Sequence, residues 1–473
     1  MSTNNDGVAV ASPLRLSIRV FALFTAVYLS TWAGHYTSGD GSIKVAWAKA
    51  MLFGHSAEAG STQTTAYSKY GIGHTLLAAP PLAAAYFIQR TTGVRCEAAL
   101  YTLMFIVNGA LFLGMVAFYL AHFYPARAVW LTVWITGLAT IWWPYTKLDF
   151  SEPLVLTIVF LGFLILRFGH PMLGMAVAAF SLAIRLDSVA IVGPMILWYL
   201  VANRSVRSIF RVAISLAPAI ALVLLANYLR YHSVLDQGYG GERFSNPFLV
   251  GLYGILFSSG KSIFLFSPPL LLGVLGWKRF AQRREIRSDA WLFLGIWMAQ
   301  IVLFAKWWDW SSDDAWGVRF VIPGVLLMCI PMVTMLDRRM IVIPVACLGA
   351  LVQILPVTVG GLDYLMLVRS QRFQRQALFV AGQNRIDFVD VRFNPDYSQI
   401  MGNWILLRYL VGLPPGPGQP HDAIQVGTKL SDAIPAEVWA ATARWDFVWN
   451  SGRRGPAIGL PVPASPAEAA PVR

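Results

Sequence analysis

Long apolar runs separated by short polar gaps dominate this chain. Runs long enough to cross, or nearly cross, ~30 Å of hydrocarbon lie near residues 17–34, 98–120, 127–144, 153–167, 171–184, 188–203, 210–228, 262–277, 290–305, 319–336 and 340–358. These eleven runs predict membrane helices. Residues 74–89 (HTLLAAPPLAAAYFIQ) are a twelfth candidate, but Pro80-Pro81 in their midst suits a broken helix lying at the membrane surface better than a straight span. Between the first run and this segment, Ile43, Ala46, Trp47, Ala50 and Phe53 recur at helical spacing, with Lys44 and Lys49 off that face and Gly54 as the stop. That pattern predicts an amphipathic interfacial helix. Past residue 358 the chain turns polar. Residues 359–458 read as a small external region, and 459–473 as a disordered tail by composition.

Composition supports this reading. Hydrophobic residues make up 56% and charged residues 13%, where a soluble domain carries about a quarter charged. The predicted fold is therefore an all-α polytopic membrane protein of about eleven transmembrane helices, with juxtamembrane helices in a first external loop at 35–97. The net charge of +13 does not point to nucleic acid. The basic residues cluster in short gaps, as Arg204, Arg207 and Arg211, as Lys278, Arg279, Arg283, Arg284 and Arg287, and as Arg338 and Arg339. These are the cytoplasmic flanks the positive-inside rule describes. Cys96, Cys329 and Cys347 lie in or beside apolar runs and imply no disulfide framework.

The charge clusters also decide the topology. With residues 1–16 cytoplasmic and 74–89 not spanning, the gaps at 121–126, 168–170, 204–211, 278–289 and 337–339 all fall inside and hold most of the clustered arginine. The acidic gaps at 35–73, 145–152, 185–187, 229–261 and 306–318 then fall outside, and so does the C-terminus. The outer face gathers Asp40, Glu58, Asp149, Glu152, Asp187, Asp236, Glu242, Asp309, Asp313 and Asp314. Lone cations stand among them: Lys69, Lys147, Arg185, Arg230, Lys261, Lys306 and Arg319. For most of these acids a solvated rim explains their presence. Asp40, in TSGDGSIKVAWAKAMLFG (37–54), has a more specific setting, since it opens a helix directly after the first span. A helix cap would account for it, and a cap can also be a catalytic base.

Two motifs lead nowhere. SSGKS (258–262) lacks P-loop spacing, with five residues between Gly254 and Gly260, and it falls outside. His35, His55, His74 and His232 are scattered and form no zinc motif.

The acid after the first span, in GDGSIKVAWAKAMLFG, resembles the arrangement of the GT-C superfamily, the multi-pass glycosyltransferases that use polyprenyl-phosphate sugars. AYSKYGIGHTLLAAPP (66–81), WWPYTKLDFSEP (142–153), AIRLDS (183–188), GILFSSGKSIFLFSPP (254–269) and KWWDWSSDDAWGVRFVIP (306–323) resemble further pieces of that group, over residues 15–400. One position departs: Asp40 is followed by Gly41 rather than by a second acid. The resemblance implies transfer of a sugar from a polyprenyl-phosphate carrier to a glycan, lipid or protein acceptor, on the periplasmic or extracellular side of the cytoplasmic membrane. It implies Asp40 as general base, and Arg319, Lys69, Lys261 and Arg185 as partners of the lipid phosphate. Glu152, Asp149, Tyr67, Trp308, Asp309 and Trp310 are then candidates for sugar or acceptor contacts. The tryptophans fit an interfacial aromatic belt equally well. No cofactor is certain from the sequence, and a divalent cation (Mg or Mn) on Asp149 and Glu152 stays open. The rival readings are a secondary transporter or lipid-linked-sugar flippase and a non-catalytic scaffold. Transporters place functional polar groups near the bilayer midplane, often on repeated helices, whereas this chain keeps its acids at one face and shows no repeat.

Overall fold

In a computed structural model, the described residues are 12–54, 69–240, 242–312, 315–368, 388–414, 430, 434 and 436–449. They form helices and no strand. Sixteen helices follow in order: α1 (Pro13–Ser30), α2 (Gly39–Phe53), α3 (Ile72–Thr92), α4 (Glu97–Ala121), α5 (Ala126–Ala139), α6 (Trp142–Tyr145), α7 (Glu152–Arg167), α8 (Pro171–Ile184), α9 (Val189–Ala202), α10 (Val206–Tyr231), α11 (Phe248–Phe257), α12 (Ile263–Phe266), α13 (Leu270–Gln282), α14 (Arg287–Ala305), α15 (Ile322–Cys329) and α16 (Arg339–Val359). Shorter helices at Phe388–Phe393, Gln399–Leu410 and Ala436–Thr442 come after them. Each predicted apolar run lies on one or two of these helices. Five helical stretches, Pro13–Ser30, Glu97–Ala121, Val206–Tyr231, Arg284–Ala305 and Arg339–Val359, are long and apolar enough to cross a membrane. The other apolar helices are shorter.

Contacts between gaps fall into two groups, one at each end of the bundle. At one end Thr37 meets Asp149, Asp40 meets Arg319, Arg230 donates to the Tyr70 carbonyl, and Lys69 pairs with Glu242. At the other end Arg283 donates to the Phe123 carbonyl, Arg167 bonds Asp289 and the Glu285 carbonyl, and Arg279 faces Asp337. The first will be called the acidic end.

Residues 74–89 do not run from one end to the other. The start of α3 lies at the acidic end, where His74 hydrogen-bonds with Ser151 at 3.0 Å and with Tyr101 in the first turns of α4 at 2.9 Å. Its far end is joined by a short link to Glu97, which meets Tyr36 and Lys49 at the same end. One expectation fails: Pro80-Pro81 do not break α3, which runs through both.

The C-terminal segment is clasped to the acidic end. Lys147, 2% exposed, pairs with Asp446 at 3.0 Å and donates to the Val357 and Asp446 carbonyls. His35 meets the same carboxylate at 2.8 Å, and Val448 donates to the Trp32 carbonyl. Burial alone would raise the Asp446 carboxyl, but Lys147 and His35 hold it well below the usual carboxylate range. A depressed acid adds stability above its unfolded pKa of about 3.9 and loses it as pH falls through the folded value. The clasp should therefore persist at mildly acidic pH. Asp446→Asn leaves Lys147 buried without its counter-charge, an expected cost of about 3–5 kcal/mol. Limited proteolysis of the C-terminal segment and the melting temperature measure it.

Candidate active site at the acidic end

The site begins with the cap of α2. Ser38 accepts from the Gly41 N–H at 2.9 Å and so takes the N-cap role. Asp40 is thus not the cap, and its carboxylate is left for other partners. Gly41 is required by close approach: a Cβ there would lie 1.9 Å from Asp149 Oδ2. The position where a second acid was missing is therefore filled from another element. Asp149, fully buried, accepts from Thr37 Oγ1 at 2.8 Å through Oδ1. Its Oδ2 has no hydrogen-bond partner.

A chain of opposite charges runs from Asp40 into the bundle. Arg319 lies 3.0 Å from Asp40 and 3.4 Å from Glu152. Arg185 lies 2.9 Å from Glu152 and forks onto Asp187 at 2.8–3.1 Å. The Arg319 guanidinium rests on Phe150 at 4.2 Å, and that of Arg185 on Phe320 at 5.3 Å. Glu152 is nearly inaccessible, and its ion pairs are off-line, so neither of its oxygens has a directional hydrogen bond. Unused acceptors on Asp149, and on Glu152 beside the Arg319 and Arg185 guanidinium groups, suit a ligand that carries hydroxyls.

Two residues overlooked in the sequence complete the surroundings of Asp40. The Tyr70 hydroxyl donates to its Oδ1 at 2.5 Å. Lys44, 1% exposed, lies against the same ring with Nζ 4.7 Å from the centroid. Burial would raise the Asp40 carboxyl, but Arg319, Lys44, the Tyr70 hydroxyl and Arg185 together hold it well below the usual range. Burial lowers Lys44 to about 8, against the pull of Asp40 and Glu152. Burial also raises Asp149, against the Ser38 and Thr37 hydroxyls and the charge of Lys44.

Arg185 lines two pockets. One, about 360 Å³, is lined by Lys69, Gly71, Ala183, Arg185, Arg230 and Tyr239 among others, and among the described residues by no carboxylate. The other, about 190 Å³, includes Glu152, Arg185, Asp187, Gln300 and Phe320. Of the predicted residues, Asp40, Arg319, Arg185, Glu152 and Asp149 come together, and Lys69 stands at the cationic pocket paired with Glu242. Trp308, half-exposed, donates to that same glutamate at 3.4 Å, while Asp309 accepts from Ser311 in its own loop. Trp310 is no sugar platform: it is 2% exposed and packs on Gly254, where a Cβ would meet its ring at 2.1 Å. Tyr67 lies outside the described residues, as do Glu58, Asp313 and Asp314. Arg230, absent from the predicted phosphate partners, lines the cationic pocket.

Lys261 also needs correcting. It is fully buried, and its ammonium donates to the carbonyls of Ser312, Ala315 and Gly317 at 3.2, 2.8 and 3.2 Å. Its charge is spent on backbone dipoles of the 306–318 loop, not held open for a phosphate. Lys261→Met strands three carbonyls at about 1–3 kcal/mol each. The melting temperature should fall sharply, with donor KM unchanged in whatever protein remains folded.

Among the described residues no three His, Cys, Asp or Glu side chains group in a way that would hold a metal ion.

No protein-family model and no curated protein matches the chain. Two solved structures are similar to it. One is the crystal structure of ArnT from Cupriavidus metallidurans in the apo state, at 14% identity, covering 82% of this chain and 73% of that one, with a TM-score of 0.46. The other is the same protein bound to undecaprenyl phosphate, at 15% identity, covering 84% and 70%, with a TM-score of 0.42. Similarity at this level assigns neither substrate nor mechanism to the chain.

Proposed function

We propose that this protein is an integral membrane glycosyltransferase of the GT-C kind. It moves a sugar from a polyprenyl-phosphate carrier to an acceptor hydroxyl at the external face of the cytoplasmic membrane. The observation that carries this reading is the alternating network Asp40–Arg319–Glu152–Arg185 at one end of an apolar bundle, whose Arg185 lines a cation-lined pocket and, with Glu152, a carboxylate-bearing one. Eleven spans, with α2 and α3 lying at the external surface, match the sorting of charge between the two ends.

In this mechanism the acceptor hydroxyl donates to Asp40. Its oxygen forms the new bond to the anomeric carbon as the bond from that carbon to the phosphate oxygen breaks. The phosphate leaves with the electron pair, and the hydroxyl proton passes to the Asp40 carboxylate. Arg319, Arg185, Lys69 and Arg230 supply charge for the departing phosphate. Glu152 and Asp149 offer acceptors to sugar hydroxyls. Asp40 is a weak base while Arg319 is paired with it. A phosphate that draws Arg319 away would restore basicity where and when the proton must be taken.

The test is to incubate the purified protein with a panel of polyprenyl-phosphate sugars and crude envelope acceptors. Release of polyprenyl phosphate with transfer of labelled sugar is expected for one donor. Movement of intact donor across vesicles without transfer would overturn the reading in favour of a flippase.

A further inference from the structure

One charged residue at the site has no part in the mechanism above. Lys44 sits one helical turn beyond Asp40 on α2 and is 1% exposed. A buried ammonium is costly unless charge or hydrogen bonding compensates it. Here the described contact is the face of the Tyr70 ring, 4.7 Å away, and the hydroxyl of that ring holds Asp40. Tyr70 thus fixes both groups, one by its edge and one by its face. The charged and titratable groups that face Lys44 come from every neighbouring element: Asp40 on α2, His74 on α3, Asp149 and Glu152 at the start of α7, Arg185 after α8, and Arg319 before α15.

We propose that Lys44 is a positioning residue for Asp40: its buried ammonium, seated on the face of Tyr70, holds in place the ring whose hydroxyl bonds the Asp40 carboxylate, alongside Arg319. The two cations have different parts. Arg319 is permanently charged, and in the proposed reaction it is drawn toward the phosphate. Lys44, 1% exposed and seated on Tyr70, stays with Asp40 through the cycle. It is also the only one of the two that can lose its proton near neutrality, with a midpoint of about 8. The enzyme would then carry an alkaline limit set by a residue that never touches substrate.

This inference rests on the transferase reading, so its test has an arm that does not. In transfer assays the wild-type rate should fall as pH rises through about 8. Lys44→Arg should keep most of the activity and lose that limb. Lys44→Met should lower kcat about tenfold, lose the limb, and move the acid limb up by about one pH unit. If the Met and Arg variants keep the wild-type pH profile, Lys44 only fills space and the proposal is wrong. A wild-type rate that rises through pH 8 would also sink it, because neutral Lys44 would then be the useful form. The second arm follows the Lys44 Nζ signal by nitrogen-15 NMR in the folded protein, wild type against Asp40→Asn, without substrate. Removing the Asp40 charge should shift the midpoint down by about one unit. An unchanged midpoint would show that the two groups are not coupled, whatever the reaction proves to be.

Discussion

Asp40→Asn is expected to remove nearly all transfer activity, by about a hundredfold to ten-thousandfold in kcat. The substitution keeps the size of the side chain and removes the group that takes the acceptor proton. It should not unfold the protein, because Arg319 keeps Glu152 at 3.4 Å and the face of Phe150 at 4.2 Å. Some stability is lost all the same. Asp40 is a carboxylate with a depressed pKa, so it stabilises the fold above about pH 4 and ceases to do so as pH falls through its folded value. The variant should therefore be less stable than wild type at pH 7, with the gap closing in strong acid. Turnover and melting curves measured on the same preparations separate the two effects. Wild-type turnover in the Asn variant would take Asp40 out of the chemistry.

Arg319→Lys is the second large effect. Lysine keeps the charge but not the planar fork that reaches Asp40 and Glu152 together while lying flat on Phe150. The expected loss is about 10- to 100-fold in kcat/KM, carried mainly by a weaker hold on the donor phosphate. Arg319→Ala should do more. It leaves two enclosed carboxylates without their shared counter-charge, at about 3–5 kcal/mol of stability, so the Lys variant is the one that reads function. Its acid limb should move up in pH as Asp40 loses part of the charge that depresses it. Retention of full kcat/KM by the Lys variant would place the phosphate elsewhere.

The network at Asp40 was half legible. Asp40, Glu152, Arg185 and Arg319 stand out in the sequence because each is a lone charge at the edge of an apolar run, on the side the arginine clusters leave for the outside. Lys261 stands out by the same criterion and proves to be internal wiring. A sequence does not say whether an ammonium will meet a ligand or the carbonyls of a distant loop. Trp310 shows the same limit for aromatics, since it faces Gly254 rather than a sugar. Tyr67 and Tyr70 sit in one motif, and only Tyr70 could be traced to Asp40.

The α2 helix misled for a physical reason. Its apolar residues read as one face of an interfacial helix with Lys44 and Lys49 off that face, where a charge would ordinarily meet water. In the fold Gly41, Lys44, Val45 and Ala48 are buried, while Ile43, Met51 and Leu52 are exposed. At a membrane the outside is not water, so apolar side chains can face lipid and a charge is driven inward toward partners. Trp47 alone of the expected face is buried.

By itself the sequence determined most of the helices and their order, though it missed α11 (Phe248–Phe257) inside a gap read as loop, and it marked the gaps by their charge. These follow from run length and from the placement of arginine, and both act locally along the chain. Tertiary structure alone decided which charges meet. It set Asp149 against Gly41, hung Lys44 and Asp40 on one tyrosine, and turned Lys261 onto the carbonyls of the 306–318 loop. A charge far apart in the chain can be paired, orphaned or spent on backbone only once packing has fixed a few ångströms between elements, and no periodicity in the sequence encodes that distance.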